Sequence, residues 1–151
     1  MLKNNAPSKL PTPTTLATAT LPRRLASMVY DTMLLAGVLA VTLLLPHTLI
    51  GVFTQKTAHP VLVQAHFFLV LLIYFVWFWL HGGQTLAMKT WRIRLVGADG
   101  RGVQPLQGLI RYLLAWFSLA FFGAGILWAL FDRDGQFLHD RLAGTRLIAA
   151  A

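Results

Sequence analysis

The sequence predicts an all-α membrane protein with three apolar transmembrane segments and a small cytoplasmic β-hairpin or amphipathic element between the second and the third. Two features of composition support this class. Of the 151 residues, 56% are hydrophobic and only 12% are charged, whereas soluble domains carry about 25% charged residues. The third observation is that apolar residues gather in three blocks, residues 25–45, 61–80 and 109–131. Each block has about the 20 residues that a helix needs to cross a bilayer.

The chain begins with a predicted flexible cytoplasmic tail, residues 1–22, which is rich in Pro, Thr and Ala and contains no acid. Such a composition offers little apolar surface to bury. A signal peptide is the alternative, but no short apolar core precedes a cleavage site ahead of the first long block. The membrane domain is therefore predicted to cover residues 23–151, which is the length of one domain.

The first apolar block is predicted to form one membrane-crossing helix from about Arg23 to Leu45, ending at Pro46. It contains one acid, Asp31, whose insertion into a membrane costs about 2.5–3.5 kcal/mol. Arg24 precedes this acid by seven residues, a spacing that returns a helix to nearly the same face. We therefore favour a pair between Arg24 and Asp31. The alternatives for the arginine are a topology anchor and a ligand for an anionic group or a lipid phosphate.

The second block, residues 61–80, follows a short predicted connection over residues 46–60. Aromatic residues gather towards the end of this block, where an interfacial aromatic belt would lie. His66 lies near the other end. For this histidine we favour an interfacial or packed side chain over a proton relay.

The segment between the second and third blocks, residues 81–108, carries four basic residues and one acid. Its stretch WRIRLV, residues 91–96, alternates apolar and basic residues, and this two-residue period predicts a short half-exposed strand. A basic helix on the membrane surface over residues 86–94 is the alternative. The two interpretations overlap in sequence.

The third block, residues 109–131, carries Arg111 near its start, where a long side chain can reach the interface. A Gly-Ala-Gly sequence at residues 123–125 lies past its middle. The polar tail that follows, residues 132–150, contains three of the five acids. Within this tail, residues 145–149 are predicted to form a short strand.

Basic residues are unevenly distributed outside the apolar blocks. The residues before the first block and the 81–108 segment each carry four Lys or Arg, whereas the 46–60 connection carries one. The positive-inside rule therefore predicts that the N-terminus and the 81–108 segment lie in the cytoplasm. We expect a multi-pass protein of the inner (plasma) membrane. Three complete crossings, which we favour on length, leave the basic tail outside. A third block that dips in and returns near residues 123–125 would keep the tail inside.

Several stretches together carry a family resemblance. They are RRLASMVYD (23–31), GQTLAMKTWRIRLVGADG (83–100), LIRYLL (109–114) and LHDRLAGT (138–145). In this order and spacing the chain resembles the RDD family of small integral membrane proteins, named for one Arg and two Asp, which correspond to Arg24, Asp31 and Asp140. Ala87 departs from the family, which usually has Gly after GQTL. The resemblance implies transport as the expected activity, because some members are linked to sodium/proton antiport.

Our first functional hypothesis is transport of a small solute or cation in exchange for protons, through a site centred on Asp31. An acid inside a membrane segment is a functional candidate, but it can equally be a structural partner of a basic residue. Arg24, Arg111 and Asp140 complete the predicted site, and Asp140 is expected to dock the tail on the 81–108 segment through a salt bridge or a cap. Because three spans are few for a pathway, this hypothesis requires a homo-oligomer.

The alternative hypothesis is a membrane module without transport activity. It would bind a partner protein or anionic lipid through a basic cytoplasmic face. The residues of that face are Lys89, Arg92, Arg94 and Arg101.

Other function classes lack supporting motifs. The net charge is +8, but no RNA- or DNA-binding motif accompanies it, so nucleic acid is not an expected partner. The chain contains no Cys and its five histidines form no close pair, so neither thiol chemistry nor a metal site is predicted. No catalytic constellation is visible, and we expect neither an enzyme nor a cofactor. The expected partners are the lipid bilayer, a small cation or solute, and further copies of the chain.

Overall fold

The computed structural model describes residues 17–121 and 123–150, a mostly helical chain with one two-stranded sheet. Its elements, in chain order, are α1 (Leu21–Leu39), a π-helical turn (Ala40–Leu44), α2 (Leu45–Thr54), α3 (Pro60–Leu80), α4 (Leu86–Thr90), β1 (Ile93–Gly97), α5 (Pro105–Ala120), α6 (Ala124–Leu127), a 3-10 turn (Trp128–Leu130), α7 (Leu138–Leu142) and β2 (Thr145–Ala149).

The first apolar helix runs much further than the sequence predicts. Through α1, the π-helical turn and α2 it covers Leu21–Thr54, 34 residues. The prediction that it ends at Pro46 is wrong, and so is the prediction of a connection over residues 46–60. The π-helical turn ends at Leu44, two residues before the proline, and changes the hydrogen-bond spacing there, which is a recognised way for a membrane helix to accommodate proline. The side chain of His47 also bonds the Leu43 carbonyl oxygen, 2.8 Å away.

The second apolar helix, α3, matches the predicted block and contains 21 residues. It begins with Pro60, where the missing N–H costs nothing, and the His59 side chain accepts a hydrogen bond from the Val61 amide. Together with Leu21–Thr54, it is one of two described helices that are long and apolar enough to cross a bilayer. The third candidate is a bent pair of helices.

The third apolar block is not one straight helix. Helix α5 begins at Pro105, ahead of the block, and ends at Ala120. Helix α6 with its 3-10 turn then continues at an angle of 103° to α5. Gly123 lies at the break with φ of 73°, a left-handed conformation that glycine adopts without strain. The third block is therefore a bent pair of helices that breaks where the sequence carries Gly-Ala-Gly, and two or three of the described apolar segments can span a membrane.

The two strands come from distant parts of the chain. β1 pairs with β2 in an antiparallel ladder whose register joins Ile93 to Ala149 and Gly97 to Thr145. The strand predicted at residues 91–96 and the tail strand predicted at residues 145–149 are both present. The small two-stranded element that the sequence predicts is therefore present, but its second strand comes from the tail after α5 and α6 and not from the 81–108 segment. The amphipathic alternative is also partly present, since α4 precedes β1.

The N-terminal segment joins the other edge of β2. The Ala19 amide donates to the Leu147 carbonyl and the Ala149 amide donates to the Ala17 carbonyl, each at 3.0 Å. Of the predicted tail, residues 1–16 lie outside the described part of the chain, whereas residues 17–22 belong to the sheet edge and α1. The N-terminal segment, β1 and the tail therefore meet on one side of the protein.

The densest packing lies where the sheet meets the ends of the long helices. Ile93, Leu95 and Leu147 point inward from the strands, and Phe137 joins them from the segment before α7. Arg94 lies between two of these inward positions and is exposed, as strand alternation requires. This core places α1, α3, α4, α5 and α7 around one buried space.

Candidate functional site

One face of α1 is buried and carries two of the three charged residues of this helix. Arg24, Ser27, Asp31 and Leu35 are all buried, and their spacings of three, four and four residues follow one stripe of a helix. The seven-residue spacing thus places Arg24 and Asp31 on the same stripe. It does not make them partners.

Asp31 is held by hydroxyl groups. Thr85 Oγ donates to one carboxylate oxygen at 2.8 Å, and Tyr74 OH donates to the other at 3.2 Å. Among the residues that the structure describes, no basic group lies within salt-bridge distance of this carboxylate. The predicted pair between Arg24 and Asp31 is therefore wrong. The reason is that α3 and α4 deliver closer donors to the same stripe.

Thr85 owes its position to the start of α4. Its hydroxyl caps this helix by accepting from the Met88 amide at 3.2 Å, while donating its proton to Asp31. The preceding turn uses Gly83 with φ of 71°, and a Cβ on that residue would come within 2.3 Å of the Leu95 carbonyl oxygen. A glycine is therefore required where the chain passes β1 to reach the capping threonine.

Arg24 packs on an aromatic ring. Its Cζ atom lies 4.9 Å from the centroid of Phe137, a cation–π arrangement. Its Nε atom is buried and has no hydrogen-bond partner among the described residues. A buried arginine that lacks an acidic partner is unusual, because taking a charge out of water is costly.

Arg111 and Asp140 form a buried ion pair. Arg111 Nε lies 2.6 Å from Asp140 Oδ1, and both side chains are buried. The guanidinium also lies over Trp79, 4.3 Å from the ring centroid. One prediction is corrected here. Asp140 binds α5 rather than the 81–108 segment, because the break after α5 returns α7 to the first turns of α5. The tail docks on the 81–108 segment through β2 instead.

His139 completes the aromatic stack beside this pair. Its ring lies 5.4 Å from Phe137 at an interplanar angle of 27°, and its Nε2 atom is 3.8 Å from Asp140 Oδ1. Burial lowers the pKa of His139 to about 4, with the nearby Arg111 lowering it further and Asp140 opposing the shift. The imidazole is therefore neutral at pH 7.

These groups surround a cavity of about 470 Å³. Arg24, Asp31 and Arg111 line it, whereas Asp140 lies behind Arg111 and does not. The remainder of the wall is mainly apolar, with side chains contributed by α1, α3 and α5. Examples are Leu35, Leu39, Phe67, Leu71 and Trp116. Cavities of this size accept small organic molecules.

The family model of the RDD family matches residues 18–144, a range that contains Arg24, Asp31, Arg111 and Asp140. The chain belongs to the RDD family. The Arg and the two Asp on which the resemblance was based, Arg24, Asp31 and Asp140, lie within this range and are buried around or beside the cavity. RDD family proteins are small membrane proteins, in agreement with the two long apolar helices of this structure.

A relative of this RDD protein is an uncharacterized protein of Rickettsia prowazekii (strain Madrid E). The two chains are 35% identical over 99 residues, which cover 66% of this chain and 56% of the relative. The chain thus spans little more than half the length of that relative. No solved structure matches the chain.

Four residues that contribute to the site are absent from the predicted site residues: Tyr74, Thr85, Ser118 and His139. For Thr85 a signal existed, because a Thr directly before a short helical stretch is a capping pattern. The other three depend on contacts between distant segments.

The described residues contain no group of three or more metal-ligating side chains. The donors that face Asp31 are hydroxyls, which hold a carboxylate or share a proton with it. The arrangement is therefore suited to a proton or a single cation on one wall and to a larger molecule in the remaining space.

Proposed function

We propose that this RDD protein binds a small solute in its cavity and moves it across the membrane in exchange for protons, with Asp31 as the proton-carrying group. The observation that carries the proposal is the setting of Asp31 on the cavity wall, bonded by Thr85 and Tyr74. A carboxylate held by neutral hydroxyls can gain or lose a proton without breaking an ion pair. When it is protonated, the same hydroxyls can act as acceptors.

The topology we propose has two complete crossings and a third block that returns to the side it left. Support comes from the sheet, since β1 precedes α5 and β2 follows α6, yet the two strands pair directly. A complete crossing by α5 and α6 would separate them by the bilayer. With the positive-inside rule, this arrangement gives a cytoplasmic N-terminus, sheet and tail in an inner membrane.

Irregular backbone at the depth of the bilayer is tolerated only where protein or water covers it. The bend between α5 and α6 fits this condition in part, since Gly125 is buried against Ser118. Two complete crossings are few for a solute pathway, so the proposal includes a homo-oligomer in which copies share the lipid-facing surfaces.

The proposed function is tested by proton flux into proteoliposomes driven by sodium, potassium or lithium gradients. Wild-type protein is expected to give cation-dependent flux, and Asp31→Asn is expected to reduce it at least tenfold. The matched control is Asp99→Asn, since Asp99 lies in an exposed turn beside Arg101. Absence of flux from folded wild type, or equal flux from the Asp31 and Asp99 variants, contradicts the proposal.

A second candidate function is supported by the exposed basic side chains of the 81–108 segment. This basic cytoplasmic face consists of Lys89, Arg92, Arg94 and Arg101, all exposed. It would bind a partner protein or anionic lipid in place of transport. Replacing all four with Gln would then abolish capture of phosphatidylglycerol vesicles, while Asp31→Asn would have no effect. Vesicle capture that survives the four substitutions contradicts this candidate.

A further inference from the structure

We propose that the cavity binds a single-chain amphiphile whose headgroup is an oxyanion, with Arg24 as the principal ligand of that headgroup. This inference names the ligand class of the cavity and rests on the proposed function only in taking the cavity as the solute site. Binding can be measured without any flux, so the two can fail separately.

Four buried polar atoms of the cavity wall have no hydrogen-bond partner among the described residues. They are Arg24 Nε, Trp79 Nε1, Ser118 Oγ and His139 Nδ1, and their residues are 4%, 4%, 8% and 6% exposed. All four residues line the cavity. Buried polar groups are nearly always satisfied, so an unpaired set around one space indicates a partner molecule.

The chemistry of these atoms restricts that partner. The arginine and tryptophan side chains can only donate hydrogen bonds. The hydroxyl and the neutral imidazole can either donate or accept. A molecule that satisfies the whole set must therefore offer several acceptor atoms. Carboxylate and phosphate oxygens provide them, and arginine binds both groups with well-matched geometry.

The charges on the cavity wall favour an anion at the Arg24 end. The charge of Arg111 is already paired with Asp140. Asp140 also attracts Arg24 from a greater distance, but no acid among the residues described lies within salt-bridge distance of Arg24. Asp31 is the negative group that faces the same space. It lies seven residues along α1 from Arg24, about 10 Å of helix, so an oxyanion at Arg24 avoids close contact with it.

The rest of the wall suits an alkyl chain. Leu35, Leu39, Phe67 and Leu71 provide an apolar surface continuous with the polar end. The volume of about 470 Å³ accommodates a molecule of one short chain and is much too small for a phospholipid with two long chains. A medium-chain carboxylate such as decanoate therefore matches both the donors and the space.

The test is equilibrium binding of radiolabelled decanoate to the full-length protein in phosphatidylcholine nanodiscs. Binding is expected to saturate and to be displaced by unlabelled decanoate. Decyltrimethylammonium and acetate at the same concentration are expected to displace little, since the first lacks acceptors and the second lacks the chain. Equal displacement by either compound overturns the proposal.

Variants locate the binding site. Arg24→Gln is expected to weaken decanoate binding at least tenfold, while Arg23→Gln, a change in its exposed neighbour, is expected to leave affinity unchanged. Two further variants keep the charge of the site. Ser118→Ala removes one hydroxyl and is expected to weaken binding two- to fivefold, and Ala115→Leu is expected to weaken it by obstructing the cavity.

Folding of each variant is verified by gel filtration and thermal unfolding, with wild type and all variants in one common detergent. If Arg24→Gln does not fold, the folded Ser118 and Ala115 variants decide the outcome. Folded wild type that shows no saturable decanoate binding overturns the inference, and so does equal affinity in wild type and every folded cavity variant. Flux without decanoate binding would leave proton exchange intact and reject this ligand class. Binding without flux would support the ligand site and reject the exchange.

Discussion

Asp31 and Asp140 are the two buried aspartates of this RDD protein, and their surroundings differ in kind. Asp140 contacts a guanidinium at 2.6 Å, and both partners are enclosed by protein. Asp31 contacts two hydroxyl groups and faces a cavity. An acid bound to arginine keeps its charge, because neutralising it leaves an unpaired guanidinium. An acid bound to hydroxyls can change its charge at lower cost.

Because their surroundings differ, Asp140 and Asp31 are expected to have different roles. The Arg111–Asp140 pair joins α5 to α7 and so fastens the segment that follows the bend. Asp31 joins α1 to α3 and α4, but it also forms part of an open wall. Stability measurements on matched substitutions therefore distinguish the two aspartates more directly than activity alone.

The largest effect is expected from Asp140→Asn. This change leaves the Arg111 charge buried without its counter-ion, and breaking a buried pair in this way costs about 3–5 kcal/mol. Thermal unfolding in detergent micelles is expected to show a large decrease in Tm. The control is Asp134→Asn, since Asp134 is an exposed acid of the same tail.

A double variant sharpens the interpretation of this pair. Arg111→Met combined with Asp140→Leu removes both charges, and replacing a buried pair with apolar residues of similar volume is often neutral. The double variant is expected to be more stable than Asp140→Asn alone. A double variant as unstable as the single one would contradict an electrostatic origin of the loss.

An intermediate effect is expected from acid, through the histidine beside the pair. His139 has a pKa of about 4 in the folded protein against 6.5 for the ordinary side chain. The unfolded chain therefore binds a proton at a higher pH than the folded protein does. The contribution of the neutral His139 to the free energy of unfolding is present above pH 6.5 and is lost as the pH falls towards 4.

The free energy of unfolding is expected to fall by about 1.4 kcal/mol between pH 7.5 and 5.5, and by about 3 kcal/mol once the pH is below 4. It is measured by comparing the unfolding free energy at pH 7.5 and 5.5 for wild type and His139→Gln. The variant is expected to show a smaller pH dependence over this interval. Identical pH dependence in both proteins would place the acid sensitivity elsewhere.

Local sequence pattern predicted the faces and most elements correctly, but it did not predict partners. Seven residues between Arg24 and Asp31 define one helix face, because helix geometry depends only on spacing. The groups that bond the acid come from 43 and 54 residues away. No helical or strand period in the sequence relates such positions, so proximity along α1 suggested the wrong pair.

The errors of topology have a similar origin. Pro46 indicates a helix end by its own chemistry, but a π-helical turn before it lets the helix continue. The alternation in WRIRLV predicted a strand, while its partner lies in the tail beyond the whole third block. A pairing over that distance is determined by where the bend between α5 and α6 directs the chain. The glycines of the sequence indicate where the chain bends, but they do not determine the angle between α5 and α6.

The smallest change in stability is expected from Asp31→Asn. The amide keeps a carbonyl acceptor for one hydroxyl and gains a donor for the other, so the cost is about 1 kcal/mol, typical of one altered hydrogen bond. The same detergent unfolding assay compares Asp31→Asn with Asp140→Asn. A loss of stability as large as that of Asp140→Asn would mean that Asp31 also holds the fold together as a charge, and the contrast between the two aspartates would disappear. A small loss of stability, with proton flux abolished, is the combination that a proton-carrying group on the cavity wall requires.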